Sequence, residues 1–289
     1  MPLDQFDIDK DELPEEYRNK LPKREENTDM TFIEHLDVFR KHLMRSALVT
    51  VIVAILVAFN ISFFLDDLLL APTKQSFITF QKLCDLGKEF NIAQLCLTIP
   101  EDGFINNELG GQFTMHVNSS FTLAIILSFP FIVFQLWQFI KPGLKQNEQK
   151  ATVGVVLACS TLFFIGISFA YYLVIPMVYQ FLISYDITNG GIKNYITIKS
   201  YISAFIDLIL AFGIMFQLPM VVYILTKIGI LTPQLLINYR KHAFVGILIL
   251  SSILTPPDVL SMTLLAFPLI LLYEVSIFIS KVYQKKEVQ

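Results

Sequence analysis

Apolar sequence fills six stretches of this chain, near 47–65, 117–140, 151–175, 201–225, 243–255 and 259–280. No other feature limits the fold as tightly. A helix needs about 20 residues to cross a hydrocarbon core about 30 Å thick. Lipid offers no partner to backbone N–H and C=O groups, so a spanning segment must satisfy them internally. The stretches therefore predict an all-α integral membrane protein with six transmembrane helices. Composition agrees: 54% of the 289 residues are hydrophobic and 16% are charged, against about a quarter charged in soluble chains.

Lys and Arg set the expected orientation. With the N-terminus in the cytoplasm, 17 of the 22 fall on inner segments and 5 on the outer segments 66–116 and 176–200. The positive-inside rule then places both termini in the cytoplasm. Residues 1–30 are polar, of mixed charge, and without the apolar stretch of a secretory signal. They are expected to form a disordered cytoplasmic tail. A six-helix membrane domain is expected over 31–281, with a long extracytoplasmic loop at 66–116 and a cytoplasmic tail at 282–289.

The last two stretches read as short helices. Ala243 to Leu254 spans 12 residues, or about 18 Å. The next stretch begins at Val259 and meets Glu274 after about 22 Å. Such a pair implies a locally thin bilayer or shielding by partner helices. Snorkelling of Arg240 and Lys241 would lengthen the effective span. Between the two helices, Pro256 and Pro257 stop the first and Asp258 is a good N-cap for the second.

The chemistry of hydrolases is missing. The sequence has no H-E-x-x-H, no G-x-S-x-G and no Walker A loop. His35, His42, His116 and His242 fall at or outside the ends of the apolar stretches, where no intramembrane Ser–His pair can form. No enzyme activity, cofactor, metal or nucleic acid is expected. The polar groups that matter within the stretches are few: Gln217, Asp207 and Glu274. Such groups face protein or water and are functional candidates. Each also has a purely structural reading. Pro219 strands the carbonyl of Met215, and a nearby polar side chain can satisfy such a break. Glu274 can be an interfacial carboxylate paired with Lys281 or another base. Cys84 and Cys96 share the outer loop, where an oxidising compartment would let them pair; spacing leaves the pairing open. Cys159 reads as a small packing residue.

Two inner segments stand out. FIEHLDVFRKHL (32–43) sets Phe32, Leu36, Phe39 and Leu43 on one helix face, as an amphipathic lead-in to the first span. FIKPGLKQNEQK (139–150) is a tight basic loop whose single acid is Glu148.

Five segments together resemble the TatC family, the multispanning core of the twin-arginine protein translocase. They are HLDVFRKHL (35–43), SFPFIVFQLWQFIKPGLKQNEQK (128–150), FFIGISFAYYLVIP (163–176), AFGIMFQLP (211–219) and LTPPDVLSMTLLAFPLILLYE (254–274). The resemblance implies a concave, glove-like bundle in the inner membrane of a bacterium. It implies binding of folded precursor proteins through signal peptides that carry paired arginines. TatA/TatB-type single-span partners, further copies of the chain and the proton-motive force are implied for export. Glu148, Arg40, Phe139, Pro142 and Leu144 match the family's signal-binding surface. The family's second acid falls at Val38, with Asp37 beside it as the substitute. Gln217 stands where the family often has Glu, so hydrogen bonding rather than proton exchange is expected there. Gln217, Thr255, Asp258 and Glu274 are the implied polar groups facing partner helices or the inserted signal. Pro72, Pro219, Pro256 and Pro257 are the implied structural prolines. A six-span small-solute transporter or channel is the alternative reading; it would favour repeated halves and midplane ionisable groups, and neither is evident.

Overall fold

The structure is a computed structural model that describes residues 32–90, 96, 103–141, 152–185, 195–254 and 259–287. Its regular elements, among those residues, are helical. They are α1 (Phe32–Phe59), α2 (Ile78–Glu89), α3 (Gly111–Ile140), α4 (Thr152–Phe169), α5 (Ile175–Ser184), α6 (Ile198–Met215), α7 (Leu218–Lys227), α8 (Pro233–Asn238), α9 (Arg240–Leu254) and α10 (Val259–Glu287).

Among the described residues, five helical segments are long and apolar enough to cross a membrane: His35–Phe59, Gly111–Ile140, Gly154–Ser184, Ile198–Lys227 and Leu265–Val282. The fifth apolar stretch forms α9, whose 15 residues reach only about 22 Å. The last helix departs from the expected short form. It runs 29 residues, straight through Glu274. Glu is a good helix former, and Glu274 pairs with Arg240 at 2.8 Å without interrupting the helix. The same helix continues to Glu287, over residues expected to be tail.

Other boundaries also move. The amphipathic lead-in and the first span are one helix, α1. The expected outer loop holds a twelve-residue helix, α2, and the first turns of α3. The third span gains length because α4 passes through a π-helical turn at Ala170–Val174 directly into α5. Pro176 sits in the first turn of α5, where a missing N–H costs least.

Local signals set several ends. The Thr197 hydroxyl caps α6 by accepting from the Ser200 N–H at 3.2 Å, and the Thr232 hydroxyl caps α8 through Leu235 at 3.3 Å. Gly229 follows α7 at φ 84°, a left-handed stop that glycine adopts without strain.

The main core brings together Phe163 and Val174 with Phe205, Ile209 and Phe212 of α6 and Leu265 and Leu269 of α10. Two glycines let spans three and four meet. A Cβ on Gly166 would stand 2.7 Å from the Phe212 carbonyl, and one on Gly213 would stand 2.5 Å from the Phe163 ring. The outer connections are pinned as well. Tyr171 and Tyr201 donate to the carbonyls of Leu68 (3.0 Å) and Leu69 (2.7 Å). Ile105 bridges to the strand-like backbone at Ile196–Ile198, and Lys199 pairs with Glu108 at 2.7 Å. Pro72 is buried in the short turn Ala71–Thr73.

Candidate functional site

On α1, Asp37 points its carboxylate at Lys41, 2.7 Å away and one helical turn on. Both side chains are more than half exposed. Water screens an exposed i,i+4 pair of this kind, so it contributes little to stability. A guanidinium can therefore exchange with Lys41 at little cost, and it gains a bidentate geometry that an ammonium cannot make. Arg40 is exposed and Val38 half-buried.

Phe139 lies in the last turn of α3, half-buried. One turn earlier is Gln135, which the sequence reading did not single out. It is buried, and its side-chain oxygen lies 2.6 Å from Nδ1 of His42. The Ser46 hydroxyl donates to the His42 carbonyl and the Thr50 hydroxyl to that of Ser46, a polar ladder at four-residue spacing. At the other end of the same two helices, Nε2 of His116 lies 3.1 Å from the Ala58 carbonyl. The signal in the sequence was a pair of amides, Gln135 and Gln138, in an apolar run, with His42 and His116 near the starts of the first two spans. Glu148, Pro142 and Leu144 lie outside the described residues, as do Thr255, Pro256, Pro257 and Asp258.

Gln217 sits in the break between α6 and α7. Its N–H donates to the Ile214 carbonyl, and its own carbonyl accepts from Met220 and Val221, each at 2.9 Å. Its side chain leaves the local helix. Nε2 donates to the carbonyl of Cys159 on α4 at 3.2 Å. The side chain therefore does not serve as a local repair at Met215: the amide reaches a different span. Pro219 is buried in the first turn of α7, where its ring needs no donor.

Glu274 pairs with a base, as its interfacial reading expects: Arg240, at the start of α9. Around it, the Tyr273 hydroxyl donates to the Leu236 carbonyl at 2.8 Å, and Thr226 and Ser280 share a buried hydrogen bond of 3.0 Å. These contacts fasten α7, α8 and α9 to α10. Asp207 is exposed on α6. Cys84 and Cys96 form a disulfide between α2 and the segment after it. Among the described residues, no group of three His, Cys, Asp or Glu side chains is arranged to hold a metal.

Comparison with known proteins gives one family. Residues 34–268 match the model described as Sec-independent protein translocase protein (TatC). A Sec-independent protein translocase protein TatC of Blattabacterium sp. subsp. Periplaneta americana is 35% identical over 266 residues, 91% of this chain and 100% of that protein. The TatCy protein of Bacillus subtilis is 33% identical, over 89% of this chain and 91% of its own length. A crystal structure titled Twin Arginine Translocase Receptor- TatC in DDM superposes with a TM-score of 0.67 at 29% identity, covering 86% of this chain and 99% of that one.

Proposed function

This chain belongs to the TatC family of Sec-independent protein translocase proteins, and from that premise we propose that it is the receptor for twin-arginine signal peptides. As a multi-pass membrane protein of the protein-transport machinery, it would bind folded precursors by their signals and assemble with TatA/TatB-type single-span subunits and further copies of itself. Export would draw on the proton-motive force. In this reading α9 is the fifth of six spans, the bundle is glove-like, and both termini face the cytoplasm of a bacterial inner membrane. One observation carries it above the rest: the likeness to a solved chain titled a twin-arginine translocase receptor extends over nearly all of that chain.

The chemistry assigns roles residue by residue. Glu148 supplies a carboxylate that accepts paired N–H bonds from a guanidinium. Asp37 supplies the second acid in place of Val38, releasing Lys41 when an arginine arrives. Arg40, Phe139, Pro142 and Leu144 shape the surrounding surface. Gln217 contributes donors and acceptors without titrating.

Signal-peptide binding to the purified chain in nanodiscs tests this, comparing Arg-Arg with Lys-Lys peptides. Arg-Arg should bind at least about tenfold tighter, as charge-assisted bonds are worth roughly 1.5–3 kcal/mol. Glu148→Gln should remove most of that preference and Asp37→Asn part of it. Equal binding of both peptides by a folded chain would overturn the receptor reading.

A further inference from the structure

A cavity of about 560 Å³ opens between α5 and α6. That volume falls in the range of roughly 300–1,000 Å³ typical of small-molecule sites. Its apolar wall is Ile175, Val178 and Leu182 from α5 and Ala204, Phe205 and Leu208 from α6. Its polar part comes from Tyr179, Tyr195, Thr197 and Ser200.

Tyr179 is the telling group. It is only 6% exposed and lines the cavity. Neighbouring Tyr201 donates its hydroxyl to Leu69, but the Tyr179 hydroxyl has no hydrogen-bond partner among the described residues. Its ring is held by Tyr201, with centroids 5.5 Å apart and edge-on, and by Phe104 at 6.2 Å. The ring is fixed in place while the hydroxyl opens to the cavity, so what fills the cavity supplies its acceptor.

The cavity lies near the Ser184 end of one candidate span and the Ile198 end of the next. Tyr179, Tyr185, Tyr195 and Tyr201 cluster there, as tyrosines do at the level of lipid headgroups. An occupant must therefore be apolar toward the membrane and offer an acceptor at the interface. The groove is open along one side, and a slender apolar chain fits along it between α5 and α6. Lys199, beside Ser200, is already neutralised by Glu108 at 2.7 Å, so headgroup charge does not select the occupant.

We propose that this cavity holds one acyl chain of a bilayer glycerophospholipid, whose ester carbonyl accepts a hydrogen bond from Tyr179. The proposal stands independently of the signal-receptor reading.

The test uses the full-length chain in phosphatidylcholine nanodiscs with a trace of phosphatidylcholine carrying a photoactivatable diazirine on one acyl chain. Cross-linked residues are mapped by mass spectrometry. Label should concentrate on Val178, Leu182 and Ala204 over the openly exposed Leu157 and Ile165. Ala204→Trp, which fills the cavity, should cut that excess at least about fivefold. Tyr179→Phe keeps the volume and should cut it about threefold to tenfold, the worth of one hydrogen bond. Phosphatidylglycerol with the same probe should label equally. Label no denser at the cavity than at Leu157, or unchanged in the folded Tyr179→Phe chain, would overturn the proposal. Displacement of the label by a twin-arginine signal peptide would also overturn it, giving the cavity to the peptide.

Discussion

The side-chain amide of Gln217 crosses from one span to another and donates to the carbonyl of Cys159 at 3.2 Å. That carbonyl retains a free lone pair after its own helical bond, so the contact needs no break in α4. Gln217→Leu should lose one hydrogen bond between spans, about 0.5–1.5 kcal/mol, read as a lower Tm in detergent. Gln217→Glu should support export with no dependence on the charge of the new carboxylate. Export that tracks ionisation of that carboxylate would contradict the hydrogen-bonding role.

Gly166 and Gly213 admit the close approach of spans three and four, and neither site has room for a methyl group. Gly166→Ala meets backbone, the Phe212 carbonyl, which cannot swing aside. Overpacking of this kind costs about 1–3 kcal/mol. Gly213→Ala meets the Phe163 ring, which is held against Phe129 with centroids 3.5 Å apart. Thermal unfolding should show both variants destabilised, and a wild-type Tm for Gly166→Ala would contradict the tight crossing.

His42 and Gln135 form a pair that should couple. Gln135→Leu alone removes a buried amide, while His42→Leu alone leaves that amide buried without its partner. The second loss should be larger, about 1–3 kcal/mol. The double variant should recover part of it. A double-mutant cycle on unfolding that shows strict additivity would mean the pair does not interact.

Arg240 and Glu274 are each about two-fifths exposed. Their coupling should therefore be modest, within about 1 kcal/mol. Arg240→Met combined with Glu274→Leu should unfold near the wild-type temperature, whereas Glu274→Leu alone should not.

The disulfide makes a direct prediction about thiols. In the native protein, Cys84 and Cys96 should resist alkylation until a reductant is added, with a mass shift of two labels on reduction. Cys159 is buried and should label only after unfolding.

Much of the helical plan could be read from the chain because apolar runs act locally. Spans two to four were visible that way. What escaped depends on partners distant in sequence. Which base pairs with Glu274 stayed open because Arg240 lies 34 residues away. Gln217 looked like a local repair because its acceptor, Cys159, is 58 residues off. Helix α2 was hidden because Lys82, Asp85, Lys88 and Glu89 make its segment resemble a polar loop. Gln135 drew no attention because nothing in the sequence pairs it with His42. The proposed recognition carboxylate, Glu148, takes that role only through family resemblance, and it falls outside the described residues.

The break at Phe216–Gln217 divides the fourth span between two allegiances. Above it, α6 packs chiefly on α4; below it, α7 packs chiefly on α10. A rod so divided behaves as a joint. A push on the last helix travels into α7, reaches the turn where the Gln217 N–H bonds three residues back to Ile214, and need not pass to α6. Gln217 is then the stay across that joint, tying it to the third span while leaving each half free to follow its own neighbour.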